Sequence, residues 1–278
     1  MIRFNPAALE SVPFLRQEEL EKLHHLAAEF TLGDFLQNPR AVEDRVLESV
    51  YVSSRMEGSR YSWKGASALL KYGFTEGGQP LSDALMIVNL GKATDHVMAN
   101  SRDADVINRA FIQDLHARIT SAHLQPSARG SVRNQSVTIG GSRCVPPESS
   151  DQLETEFGRL IETAAKIEDP FEQALYVHCS LACLQCFADG NKRTARLMQT
   201  AVMIRRGLVP VFFRESDIPE YLQAMIAYCE TGNRRPCAEL FVRAYQYTID
   251  DLLNRTEEHF ARVREDEERI RRYRSGQR

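Results

Sequence analysis

Gln185-Cys186-Phe187-Ala188-Asp189-Gly190-Asn191-Lys192-Arg193-Thr194-Ala195-Arg196 decides how this chain is read. Before it, residues 170–186 carry apolar side chains at helical intervals, and after it 192–206 do the same until Gly207. A short loop with a glycine between two helices points the backbone N–H groups of 190–193 out of a helix N-terminus, the arrangement that holds phosphates. Arg193 and Arg196 stand three apart, one turn along the same face, where two guanidinium forks reach successive phosphates. Asp189 beside this cradle is an acceptor able to hold a Mg²⁺ that bridges phosphate oxygens. Asp-Gly-Asn is also a common turn signal and Lys/Arg runs are usually surface, so spacing alone leaves both readings open.

Outward from this stretch the sequence reads as an all-α body. Residues 41–57 place Val42, Val46, Val50 and Ser53 on one stripe, with Gly58 where a left-handed cap is expected. Residues 64–72 stop at Gly73, and 81–99, 105–121 and 150–167 are longer amphipathic runs. A helix is expected after Pro219 and another over 238–253. The exception is 130–147, where Val137 and Ile139 alternate with Ser136 and Thr138 before Gly140-Gly141, which predicts a short β-hairpin. From Arg255 to the end, eight arginines face six acidic residues with few apolar ones, the pattern of a solvated helix or tail. The expected organisation is a helical N-terminal region over 1–100, a core domain over 101–254 and a charged segment over 255–278.

The 278 residues are 43% hydrophobic and 26% charged, which excludes global disorder and disulfide-scaffold classes. A net charge of −3 carries no basic excess, so nucleic acid is not an expected partner. No apolar run approaches the ~18 residues of a membrane span, and the first twenty residues lack a signal-peptide layout. Six cysteines without paired C-x-x-C spacing fit free thiols, and the cytoplasm is the expected compartment. Cys179, Cys183 and Cys186 share one helix face, but one helix cannot present four tetrahedral ligands, so they read as core. Whether the chain forms a homo-oligomer is left open.

The stretch 185–196 resembles the core motif of the Fic (AMPylator) family, H-x-F-x-[DE]-G-N-[GK]-R-x-x-R. It agrees at Phe187, Asp189, Gly190, Asn191, Lys192, Arg193 and Arg196. Upstream, Ser53-Ser54-Arg55-Met56-Glu57-Gly58 resembles the family's inhibitory motif, [ST]-x-x-x-E-[GN], and 130–147 resembles its target-docking flap. The resemblance implies an ATP and Mg²⁺ protein that transfers AMP to a hydroxyl of a target protein. It implies phosphate binding by Gly190, Asn191, Lys192, Arg193 and Arg196, metal binding by Asp189, and autoinhibition by Ser53, Glu57 and Gly58. Gln135, Ser136, Val137, Thr138 and Ile139 would pair with the target's backbone by strand addition. Lys192 also resembles the Doc branch, which acts with the nucleotide reversed; Arg196 and the Glu57 motif favour the AMP-transferring branch.

Gln185 is the departure. It stands where the family has the histidine that accepts the proton of the attacking hydroxyl, and an amide can orient a hydroxyl but not deprotonate it. Losing such a base typically costs about 10² to 10⁴ in rate. His178 lies two turns earlier on the same face, ~10 Å away at ~1.5 Å per residue, and reads as a packed helix residue. Three functions follow: an impaired, autoinhibited AMP transferase; a catalytically inactive, nucleotide-gated binding module; or a changed enzyme that removes AMP or transfers another phosphate-containing group.

Overall fold

Twelve of the seventeen positions from Phe171 to Phe187 are apolar, and the computed structural model buries that segment at the centre of the molecule. It describes residues 1–10, 13–75 and 77–275, without the side chains of 257–264 and 266–275. In chain order the elements are β1 (Ile2–Arg3), α1 (Gln17–Glu29), α2 (Leu32–Leu36), α3 (Pro39–Met56), α4 (Trp63–Tyr72), α5 (Leu81–Asn100) and α6 (Arg109–Thr120). There follow β2 (Cys144–Val145), α7 (Ser150–Ala165), α8 (Pro170–Leu184), α9 (Asn191–Arg205), α10 (Ile218–Thr231) and α11 (Arg235–Ser275). The fold is all-α, as the sequence predicts.

A helix that is apolar all round belongs inside, and α8 obeys this rule. It packs on α9, with α7, α10 and α11 around it, while α5 and α6 cover α9. Cys179, Cys183 and Cys186 are buried there as core residues. Among the described residues, no helix is long and apolar enough to cross a membrane.

The helix stops before Gly58, Gly73 and Gly207 fall where the sequence puts them, for identifiable reasons, while α6 starts four residues later than the expected 105 and α11 runs well past the expected 253. α3 closes with Gly58 N–H on Arg55 O at 2.9 Å and Ser59 N–H on Ser54 O at 3.0 Å, a Schellman closure that needs Gly58 at φ 87°. Its last turn is anchored from outside by Glu215, which accepts from Tyr51 and Arg55.

The segment 130–147 differs in its pairing. The chain reverses at Gly140-Gly141 as expected, with Ser142 N–H on Ile139 O at 3.0 Å. Its return arm, however, pairs with β1 in parallel, Ile2 opposite Cys144 and Arg3 opposite Val145. Residues 135–139 therefore have no ladder partner within the segment. The cause lies in the partners of the return arm: Ile2 N–H bonds Arg143 O, Phe4 N–H bonds Val145 O, and Glu230 holds the Arg143 N–H and the Ser142 hydroxyl. The return arm is thus held by the N-terminus and α10 rather than by residues 135–139. The charged segment after Arg255 continues α11 as helix to Ser275.

Candidate functional site

α8 does not end on a glycine. Gln185 takes the left-handed conformation itself, at φ 52°, and is the one non-glycine residue with positive φ among those described. Such a conformation costs about 1 kcal/mol or more and has to be held from outside. Arg133, 3% exposed, does so: its Nε donates to Gln185 O at 2.6 Å, and its other nitrogens donate to Gln135 O and Pro147 O, both at 2.6 Å. One buried guanidinium thus ties both arms of the 130–147 segment to residue 185. The Gln185 amide is occupied as well, its Nε2 donating to Ala182 O at 2.6 Å and its Oε1 accepting from Asn191 Nδ2 at 3.2 Å.

The loop to α9 is clamped by two side chains. Asn191 accepts from Phe187 N–H at 2.9 Å and donates to Phe187 O at 2.8 Å. His116 stacks on Phe187 with ring centroids 3.9 Å apart, accepts Gly130 N–H on Nδ1 and donates from Nε2 to Asp189 O, both at 2.8 Å. Both bonds require the neutral ring, and burial pushes its pKa down to about 4. Gly190 caps α9 at φ 74°, where a Cβ would lie 2.9 Å from the Thr120 methyl. Only glycine lets α6 approach this closely. The first N–H groups of α9 have no carbonyl of their own helix to bond, and the Arg193 Nε is buried without a partner.

The carboxylates complete the geometry. Asp189 Oδ2 accepts from His123 Nε2 and Arg193 Nη2, both at 2.8 Å. The His123 bond, with the Arg193 charge, holds its carboxyl well below the usual range although burial opposes this. Glu57, delivered by the end of α3, accepts from Arg196 Nη2 at 2.8 Å, and its other oxygen lies 3.8 Å from Lys192 Nζ. Burial alone would raise the Glu57 pKa; the charges of Arg196, Lys192 and Arg193 outweigh burial and hold it below the ordinary value. Arg196 also donates to the Ser53 hydroxyl at 2.8 Å and the Ser53 carbonyl at 3.2 Å.

A cavity of about 190 Å³ joins these pieces. Glu57, Val137, Thr138, Ile139, Gly140, Gln185 and residues 188–192 line it. Most of these residues are ones the sequence assigns to a single site, and the fold brings them around one cavity. Of the expected site residues, Ser53, Gly58, Gln135, Ser136, Arg193 and Arg196 do not line it; Gln135 and Ser136 lie exposed, with Ser136 bonded to Glu148. His116, His123 and Tyr221 were missed, because side chains 25 to 73 residues away in sequence leave no local spacing signal.

The site is thus a buried helix pair whose second helix opens with three basic side chains, Lys192, Arg193 and Arg196, with the Glu57 carboxylate laid across two of them. The chain carries a Fic domain: residues 106–203 match the model of the Fic/DOC family. It is 27% identical over 255 residues to the protein adenylyltransferase Fic of Nematostella vectensis, covering 90% of this chain and 59% of that protein. The chain thus spans little more than half the length of that relative. Fic-1 (residues 134–508) of C. elegans has the same fold, with a TM-score of 0.71 and 22% identity over 86% of this chain and 71% of that one. IbpAFic2 in complex with adenylylated Cdc42 aligns with a TM-score of 0.52 and 13% identity, over 84% and 71% of the two chains.

Proposed function

We propose that this protein binds ATP with Mg²⁺ and belongs, by descent, to the enzymes that transfer AMP to a protein hydroxyl, with Glu57 as the brake and Gln185 at the base position. The observation that carries the reading is the cavity in which Glu57, residues 137–140, Gln185 and the start of α9 meet. Relatives named protein adenylyltransferase support the reaction class, and the complex of IbpAFic2 with adenylylated Cdc42 supports a protein as target. The free thiols fit a reducing compartment, the cytoplasm.

In this reading the α9 N-terminus, Lys192, Arg193 and Arg196 hold the triphosphate, and residues 135–139 present backbone to a target strand. Asp189 fits Mg²⁺, since one half-exposed carboxylate at the cavity edge is the usual protein share for that ion, with phosphates and water completing the shell. When bound, the ion would neutralise phosphate charge. The target oxygen would form a bond to the α-phosphorus as the bond to pyrophosphate breaks, and the hydroxyl proton must leave. Gln185 has no basic lone pair to take it. The Glu57–Arg196 bond stands in the way earlier, because it occupies the fork that a γ-phosphate needs.

The second reading, a nucleotide-gated binding module without transferase activity, is favoured by Gln185 itself, whose amide is fixed in the loop by Ala182 and Asn191. Both readings require the cradle. Calorimetry with ATP and Mg²⁺ on this chain and on Arg193→Ala tests it: binding by the first and a loss of tenfold or more in the second are expected. Equal binding by both, or by neither, removes the cradle.

A further inference from the structure

Arg196 is held by two helices, α3 and α10. From the end of α3 it receives the Ser53 hydroxyl, the Ser53 carbonyl and the Glu57 carboxylate; from α10 it receives the hydroxyl of Tyr221, at 3.2 Å from Nη1. If the α3 turn withdraws to admit a nucleotide, the α10 contact alone remains. That contact has a fixed polarity. The Tyr221 hydroxyl lies 2.9 Å from His178 Nε2, and His178 Nδ1 hydrogen-bonds Gln199 Oε1. All three side chains are 2% exposed. An amide oxygen only accepts, so the proton of the neutral His178 sits on Nδ1, and bare Nε2 takes the Tyr221 proton. The tyrosine lone pairs then face Arg196. Burial supports the neutral ring, lowering the His178 pKa to about 3. Ring packing fixes the group further, with Tyr221 stacked on His178 at 5.6 Å and the Arg196 guanidinium 5.6 Å from the Tyr221 centroid.

We propose that Tyr221, oriented by His178 and Gln199, is a positioning residue that keeps the Arg196 fork in its place behind Glu57 after Ser53 and Glu57 release it, so that a nucleoside triphosphate meets a preset guanidinium. The inference rests on the nucleotide reading above and deepens it. It gives His178, two turns from the base position, a role through Arg196 in place of one at the reacting atoms.

The test uses Glu57→Gly, which opens the brake, and the same protein with Tyr221→Phe, which keeps the ring and loses the hydroxyl. Affinities for ATP and for AMP, each with Mg²⁺, are measured by calorimetry beside the thermal midpoint. A hydrogen bond to a charged group predicts about tenfold weaker ATP binding in the double variant with AMP unchanged, since AMP has no γ-phosphate for Arg196. Unchanged ATP affinity overturns the proposal, and so does an equal loss for ATP and AMP, which marks a structural effect. If Glu57→Gly binds neither nucleotide, the nucleotide reading fails, and nitrogen NMR of the Arg196 guanidinium decides the seat alone. Rotation that is slow in Glu57→Gly and fast in the double variant supports it; equal rotation in both overturns it.

Discussion

The carboxylate of Glu57 and the guanidinium of Arg196, 139 residues apart in sequence, meet at 2.8 Å with side chains only 16% and 8% exposed. Glu57 is the residue on which α3 ends, so the same glycine-capped turn that stops the helix also sets the height of the carboxylate over α9. Helix termination and the Glu57–Arg196 contact are therefore one structural event. The pair is nearly dry, and a partner left alone in such a place is costly.

Glu57→Gln keeps the shape of the side chain and removes its charge beside Arg196 and Lys192. We expect a stability loss of about 2 to 3 kcal/mol, below the full cost of an orphaned buried charge because Ser53 and Tyr221 still accept from Arg196. Urea unfolding measures it. No loss would mean that the pair is balanced by the desolvation it requires.

Stability should fall between pH 7.5 and 5 because of two imidazoles buried in neutral form. His116 and His178 have folded pKa values near 4 and 3 against an ordinary 6.5. Between those limits the unfolded chain binds more protons, so stability rises with pH. Each ring contributes roughly 2 kcal/mol to the difference between pH 7.5 and pH 5. Glu57 acts in a different window: its depressed pKa gives stability that is present above the ordinary 4.5 and is lost as pH falls through the folded value. Urea titrations at the two pH values are expected to show the fall, and His116→Asn to show about half of it. Equal stability at both pH values would contradict neutral, buried rings.

What the sequence discloses here is local. The Gly58, Gly73 and Gly207 stops, the stripe of α3 and the 185–196 loop are all written within one or two helical turns, where periodicity and capping chemistry act. Arg193 beside Asp189 is an i,i+4 pair of the same kind. His123 reaching Asp189, His116 bracing the loop and Tyr221 seating Arg196 are products of helix packing, and no spacing rule encodes them. The expected hairpin shows the same boundary. The turn at Gly140-Gly141 is local and present, while the partner of the return arm comes from residues 2 to 4. A left-handed glutamine at 185 was equally unreadable, since its conformation is maintained by Arg133 from another segment.

The two restraints on transfer should act on different steps. In the proposed reading Glu57 would control how the triphosphate meets Arg196, and Gln185 whether the attacking hydroxyl loses its proton. Intrinsic labelling of the unaltered chain is thus expected near background. Glu57→Gly frees the fork and should alter ATP binding, yet transfer stays low because no imidazole stands at 185. Gln185→His supplies a base whose typical worth is about 10² to 10⁴ in rate, but the phosphates remain misaligned while Glu57 holds Arg196. The histidine must also accept the left-handed backbone at that position, which Arg133 continues to impose through the residue 185 carbonyl. Only the double variant should incorporate label from α-labelled ATP strongly, into itself or a target, so the gain exceeds the product of the two single gains. Incorporation across the four proteins, with nucleotide binding followed in parallel, measures this. A double variant that binds ATP and stays silent would make the binding-module reading the better account of the cavity, because every group the transfer reaction asks of the chain would then be in place without the reaction.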